Sequence, residues 1–142
     1  MSTQPASPTR CSTHRRKCRG VAAVEFAVCL PVIVLLVIGT MEACSMIFLK
    51  QSLSVAAYEG ARTAIIPGVT TAQVRTACEQ VLDDRHIEGG LVTISPSNVD
   101  ALNPGDFVDV TVSAPSSANS VVPNTFYRGR TITANASMMI EF

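Results

Sequence analysis

The chain is poor in the groups that catalysis needs. Its two histidines, His14 and His86, lie far apart, and neither has a Cys or Ser at the spacing of a known nucleophile–base family. No glycine-rich loop joins a strand to a helix, so a nucleotide site has no support. Of the five cysteines, only Cys78 lies beyond residue 44, and counting excludes a disulfide within the C-terminal part. Cys11, His14 and Cys18 have the spacing of half a zinc site, whereas a full site needs four ligands. Asp83, Asp84 and Glu88 read as a solvated helix end. The expectation is a protein that is not an enzyme and binds no cofactor or metal.

Charge is missing in an ordered way. Residues 1–20 hold five bases and no acid, residues 21–41 hold only Glu25, and residues 21–142 hold six bases against eleven acids. A body this acidic is unsuited to nucleic acid. The bases Arg15, Arg16, Lys17 and Arg19 abut the apolar run directly, so they read as a topology signal rather than a nucleic-acid arm. Residues 1–13 are rich in Ser, Thr and Pro without apolar periodicity, the composition of a disordered segment.

The chain's dominant feature is the run at 21–41, long enough as a helix to cross a bilayer, which takes about 20 apolar residues. Its Val and Ile would favour a strand in water, but in lipid a lone strand leaves its backbone groups unpaired, so a helix is expected. A secretory signal peptide has a shorter apolar core, about 7–15 residues, and small residues before its cut. Here Met41 spoils the candidate ending at Ala43, and Glu42 spoils a lipoprotein site at Cys44. Basic residues on the N-terminal flank place that end in the cytoplasm and the rest outside. Pro31, inside the run, removes a backbone donor and predicts a bend over residues 27–31.

A basic stretch, Gly20, four small or apolar residues, Glu25, Phe26 and an apolar helix together resemble the processing site of type IV prepilins. Adding Pro31, Gly39, Glu42, Ala57, Glu59, Gly60, Ala61 and Arg62, the segment is similar to the TadE-like minor pseudopilins of tight-adherence (Flp) pilus systems. Lys17 and Cys18 depart from the usual Arg-Gly junction. The resemblance covers residues 15–64. It implies cleavage by a prepilin peptidase between Gly20 and Val21. It also implies partnership with other pilins or pseudopilins and the assembly machinery, and an inner-membrane location with lipid around the helix. Glu25 is costly at the edge of hydrocarbon: it either reaches headgroup water on its own or pairs with the Val21 amine of a neighbouring subunit, and the resemblance favours the pairing.

Beyond Met41 the helix should continue to residue 66. Met46, Leu49, Leu53, Ala56, Ala57, Gly60 and Ala64 recur at spacings of three and four, one helical face. Lys50, Ser54, Tyr58 and Arg62 lie on another. The small residues Ala57, Gly60, Ala61 and Ala64 form a packing stripe, either for the domain's own core or for another subunit. Pro67 and Gly68 end the helix. Thr70 and Gln73 offer a capping box for a second helix, whose inner face is Val74, Ala77, Cys78, Val81 and Leu82 and which closes at residues 88–90. Strands follow at Leu91–Ser95, 107–114 and 131–142, with a turn at Asn103, Pro104, Gly105 and Asp106. The loop at 115–129 carries Val121, Val122, Pro123, Phe126 and Tyr127, a possible contact site or a flap over the sheet.

The expected class is α+β: a long N-terminal helix, a second short helix and a small three-stranded antiparallel sheet. The organisation is a leader at 1–20, a membrane helix at 21–41, its outer continuation at 42–66 and a small extracytoplasmic domain at 67–142. The expected function is that of a minor pseudopilin acting by subunit packing. The alternative is an uncleaved, membrane-anchored scaffold or binding protein.

Overall fold

In the computed structural model, residues 17–121 and 127–141 are described. The chain divides into two units, Met1–Val37 and Ile38–Phe142. The described part of the first unit is wholly helical, the beginning of α1 (Lys17–Ala64), and every residue from 20 to 37 is exposed. Pro31 is accommodated inside this helix.

The second unit holds the remainder of α1, then α2 (Thr71–Asp84), β1 (Leu91–Ser95), a short 3-10 turn (Val99–Ala101), β2 (Phe107–Pro115) and β3 (Thr131–Met139). The sheet order is β1-β2-β3, antiparallel throughout. The fold is therefore α+β with the expected elements. Several boundaries differ.

The helix begins at Lys17, not Val21, and ends at Ala64, not residue 66. Ile66 precedes Pro67, whose ring disfavours helical geometry in the residue before it. The Ile66 N–H turns back to the Thr63 carbonyl at 3.2 Å, tightening the last turn. At the other end of the connection Thr70 caps α2 as the sequence suggests: its N–H donates to Gln73 Oε1 at 2.8 Å and its hydroxyl accepts from Gln73 N–H.

α2 closes earlier than the glycine pair at 89–90. The His86 N–H donates to the Asp83 carbonyl and the Ile87 N–H to the Leu82 carbonyl, both at 2.9 Å. This is the paired pattern of a Schellman cap, with His86 in the left-handed position that glycine usually takes. Burial of Ile87 next to it offsets the strain of a side chain there.

Alternation in the strands matches one-sided burial. Val92 and Ile94 of β1, Val108, Val110, Val112 and Ala114 of β2, and Ala134 of β3 face inward, while Ile132, Ala136 and Met138 are half-buried. The last strand stops at Met139, short of residue 142. Beyond it Ile140 faces two residues at once: it accepts from Gly105 N–H at 2.7 Å and donates to the Asp106 carbonyl at 2.9 Å. Two residues opposite one is a β-bulge, and Gly105 supplies its positive φ of 96°. The 3-10 turn, which periodicity does not reveal, is tied to α2 by Thr71: its hydroxyl accepts from Val99 N–H and donates to the Ser97 carbonyl.

The core lies where the sheet's inner face meets α2 and the second part of α1. It combines Leu49, Leu53, Ala56, Ala57, Ala61 and Ala64 with Val74, Cys78, Leu82 and the inward valines of β2.

Candidate functional site

The expected processing junction lies near the beginning of α1. Gly20 and Val21 are both exposed, and a Cβ added to Gly20 would have nothing within 4 Å. Nothing among the described residues crowds the position a side chain would take here. A glycine inside a helix also weakens it by about 0.5–1 kcal/mol relative to alanine, which eases local unwinding. Glu25 and Phe26 are exposed one to two turns on, and among the described residues Glu25 forms no ion pair. Pro31 is exposed as well. Of the topology signal, Lys17 and Arg19 occupy the first turn of α1, while Arg15 and Arg16 lie outside the described residues, as do Cys11 and His14.

The packing stripe has the opposite surroundings. Ala57, Gly60, Ala61 and Ala64 are all buried. A Cβ on Gly60 would overlap Cys78 Sγ and lie 3.2 Å from Val110 Cγ1. At Gly60 α1 thus lies tight against both α2 and β2, and the absence of a side chain is what permits the approach. Cys78 fills the space left. Burial, with a smaller contribution from the neighbouring Glu79 carboxylate, pushes its thiol up to about 11, so it stays neutral and behaves as a small apolar group. The other face, Lys50, Ser54, Tyr58 and Arg62, is exposed. Arg62 pairs with Glu59 at 3.8 Å.

Residues 20–62 match the family model described as TadE-like protein. They form a TadE-like segment. Its first residue is Gly20 itself, and it includes Val21, Glu25, Phe26, Pro31, Ala57, Gly60 and Ala61. Ala64 and the basic cluster fall just outside. The segment's helix is long and apolar enough to cross a membrane, a candidate anchor. No curated protein matches the chain, and no solved structure matches it.

The TadE-like segment contains one feature whose surroundings sequence reasoning missed. Glu42 is fully buried. Its Oε1 accepts the Tyr127 N–H at 3.0 Å. The Tyr127 carbonyl in turn accepts the Ser116 hydroxyl at 2.7 Å, and the Ser116 N–H donates to the Arg130 carbonyl at 2.8 Å. The Arg130 guanidinium stands 6.0 Å from the Tyr127 ring centre. A buried carboxylate needs such donors, because leaving it unpaired in a low-dielectric site is costly. The signal was present in the spacing. Glu42 continues the buried row 42, 46, 49, 53, and an acid on an apolar face demands a partner; the partner is 85 residues away in the chain, beyond any local pattern.

A second loop contact shapes a groove of about 480 Å³ lined by Cys44, Phe48, Arg85, His86, Asn119 and Val121 among others. Asn119 holds it open: its side chain accepts from Glu88 N–H and donates to the Glu88 carbonyl, each at 2.9 Å. Of the loop's expected apolar tip, Val121 is 83% exposed and Tyr127 half-buried. Val122, Pro123 and Phe126 lie outside the described residues.

Proposed function

We propose that this protein is a minor pseudopilin-like component of a tight-adherence (Flp) pilus assembly system, working by subunit packing and not by catalysis. In this reading prepilin peptidase cuts between Gly20 and Val21 on the cytoplasmic side. Residues 21–41 hold the protein in the inner membrane, and the domain beyond Met41 lies outside the cytoplasm. The observation that carries it is the TadE-like segment at residues 20–62, whose first residue coincides with the glycine of the expected junction. Open access around Gly20 supports the cut.

Burial of the small-residue stripe in the domain's own core narrows where other subunits can pack. What remains exposed and apolar on α1 is the run 21–41 and, beyond it, Ile47, Phe48, Val55 and Tyr58. Partners from the pilus machinery would use those faces. Glu25 would then set the axial register by meeting the new α-amine of Val21 on a neighbour, an opposite charge that relieves the cost of a carboxylate near lipid.

Gly20→Leu tests the reading directly. The variant should insert but retain its leader, while N-terminal sequencing of wild type made with a prepilin peptidase should begin at Val21. A wild-type protein that still begins before Val21 favours the uncleaved, membrane-anchored scaffold. Glu25→Ala should be made, inserted and cut normally yet fail to assemble, and normal assembly would end the pairing idea.

A further inference from the structure

We propose that the corner formed by Gly39 and Ala43 of α1 with Tyr127 and Arg130 rests on the bilayer surface. The Tyr127 ring sits at the hydrocarbon edge and the Arg130 guanidinium on a phospholipid phosphate. The inference rests on residues 21–41 being the membrane anchor.

The level of the membrane follows from the sequence. A helical run of 21 residues is about 31 Å long at 1.5 Å per residue, the thickness of a hydrocarbon core at about 30 Å. Met41 therefore marks the edge. Gly39 lies inside that edge and Ala43 just beyond it, and both border a groove of about 460 Å³ whose other walls are Tyr127 and Arg130. Side chains that reach Gly39 from the loop cannot avoid the lipid boundary.

The chemistry of the corner suits that place. A tyrosine presents an apolar ring with a polar tip, and an arginine an apolar stem with a charged head, the pair enriched where one end is in lipid and the other in water. Residues 42–142 carry ten acids and six bases, yet between Asp109 and Glu141 the only charges are Arg128 and Arg130. Both are exposed. Two of the six bases of an otherwise acidic domain thus stand together where the anionic phosphates would lie. Glu42 fixes the arrangement: it holds the Tyr127 backbone against α1 by the 3.0 Å bond, with Tyr127 half-buried and Arg130 exposed.

The chain has no tryptophan, so Tyr127→Trp introduces a single indole, and it preserves the backbone bonds to Glu42 and Ser116. The full chain is reconstituted in vesicles of phosphatidylcholine and phosphatidylglycerol, with and without lipid brominated in the upper acyl chain. Leu36→Trp reports the span. Tyr58→Trp, 17 residues past Met41 and about 25 Å along the helix, reports water. The Tyr127→Trp indole should be quenched by the brominated lipid about twofold or more above the Tyr58→Trp level, and Arg130→Glu in that background should reduce the quenching. Arg128→Trp, at an exposed side chain, repeats the measurement should Tyr127→Trp not fold. If Leu36→Trp is quenched but the loop indole behaves like Tyr58→Trp, the proposal is overturned while the anchor stands. If Leu36→Trp is itself unquenched, the anchor reading fails. A loop indole shielded from both brominated lipid and aqueous iodide means that a second copy or another protein covers the corner, which also overturns it. Quenching unaffected by Arg130→Glu removes the phosphate contact.

Discussion

Residues 21–41 and 42–64 belong to one helix, yet the first stretch spends no side chain on the protein's own core while the second buries a whole face. Both are rich in apolar residues. The difference lies in arrangement. The first is apolar all round, with Glu25 its only charge, the pattern of a helix meant for lipid or for other helices. The second alternates the row 42, 46, 49, 53, 56, 57, 60, 64 with polar or charged positions, so only one face can be withdrawn from water. Hydrophobicity alone therefore says little about where a residue goes; periodicity decides whether it meets the domain or its surroundings.

This contrast can be broken most sharply with leucines. Leu53 is fully buried, Leu35 is 65% exposed, and the two differ in nothing but place. Leu53→Ala should lower unfolding stability in detergent micelles by about 2–5 kcal/mol, with Leu35→Ala near zero. Equal effects would mean that the first stretch also packs within the chain.

Glycines give the next contrast. Gly60→Ala drives a methyl into Cys78 Sγ and should cost the upper part of the usual overpacking range of about 1–3 kcal/mol, measured by chemical denaturation. Gly20→Ala should cost nothing. Combining Gly60→Ala with Cys78→Gly, which vacates the space, should recover part of the loss as a coupling energy.

The two glutamates separate next. Glu42→Ala leaves the Tyr127 N–H without this acceptor and should destabilise the second unit by about 1–3 kcal/mol, toward the lower end if water reaches the site. Glu42→Gln keeps an acceptor and should lie nearer wild type. Glu25→Ala should leave stability unchanged, its consequence falling on assembly.

The smallest effect is the pH dependence of Cys78. Its thiol ionises near 9 in the unfolded chain and near 11 when folded. Below pH 9 both states hold the proton and stability is at its full value. Above 9 the unfolded state alone loses it, so stability should fall as pH rises toward 11. Cys78→Ala should flatten that slope. In the folded protein iodoacetamide should modify the exposed Cys44 and spare Cys78; rapid labelling of Cys78 would place it outside the core.

Much of this was legible residue by residue. The inward face of α2, Val74, Cys78 and Leu82, followed from spacing, the capping box from Thr70 and Gln73, and the sheet from alternating valines. These are local rules, set by 3.6 residues per turn or by the pleat. Boundaries were harder to place. The Schellman cap at His86 needed the buried Ile87 to hold a non-glycine in the left-handed region, and the end of β3 depended on Gly105 and Asp106 across the sheet. The first turns on the burial of Ile87, which only the packed fold decides, and the second on residues more than thirty positions away from Ile140, beyond any local pattern.

The sequence by itself determined the apolar run, its basic flank, the glycine at its head and the periodic face beyond it, because each is a statement about neighbours along one helix. The tertiary structure alone decided which surface the small-residue stripe would meet, that Gly60 would have to accommodate Cys78 and Val110, and that Glu42 would be sealed by a loop from the far end of the chain. Long-range contacts form only when elements distant in sequence compete for the same buried volume. That competition is settled by shape and by the need to satisfy every buried polar group.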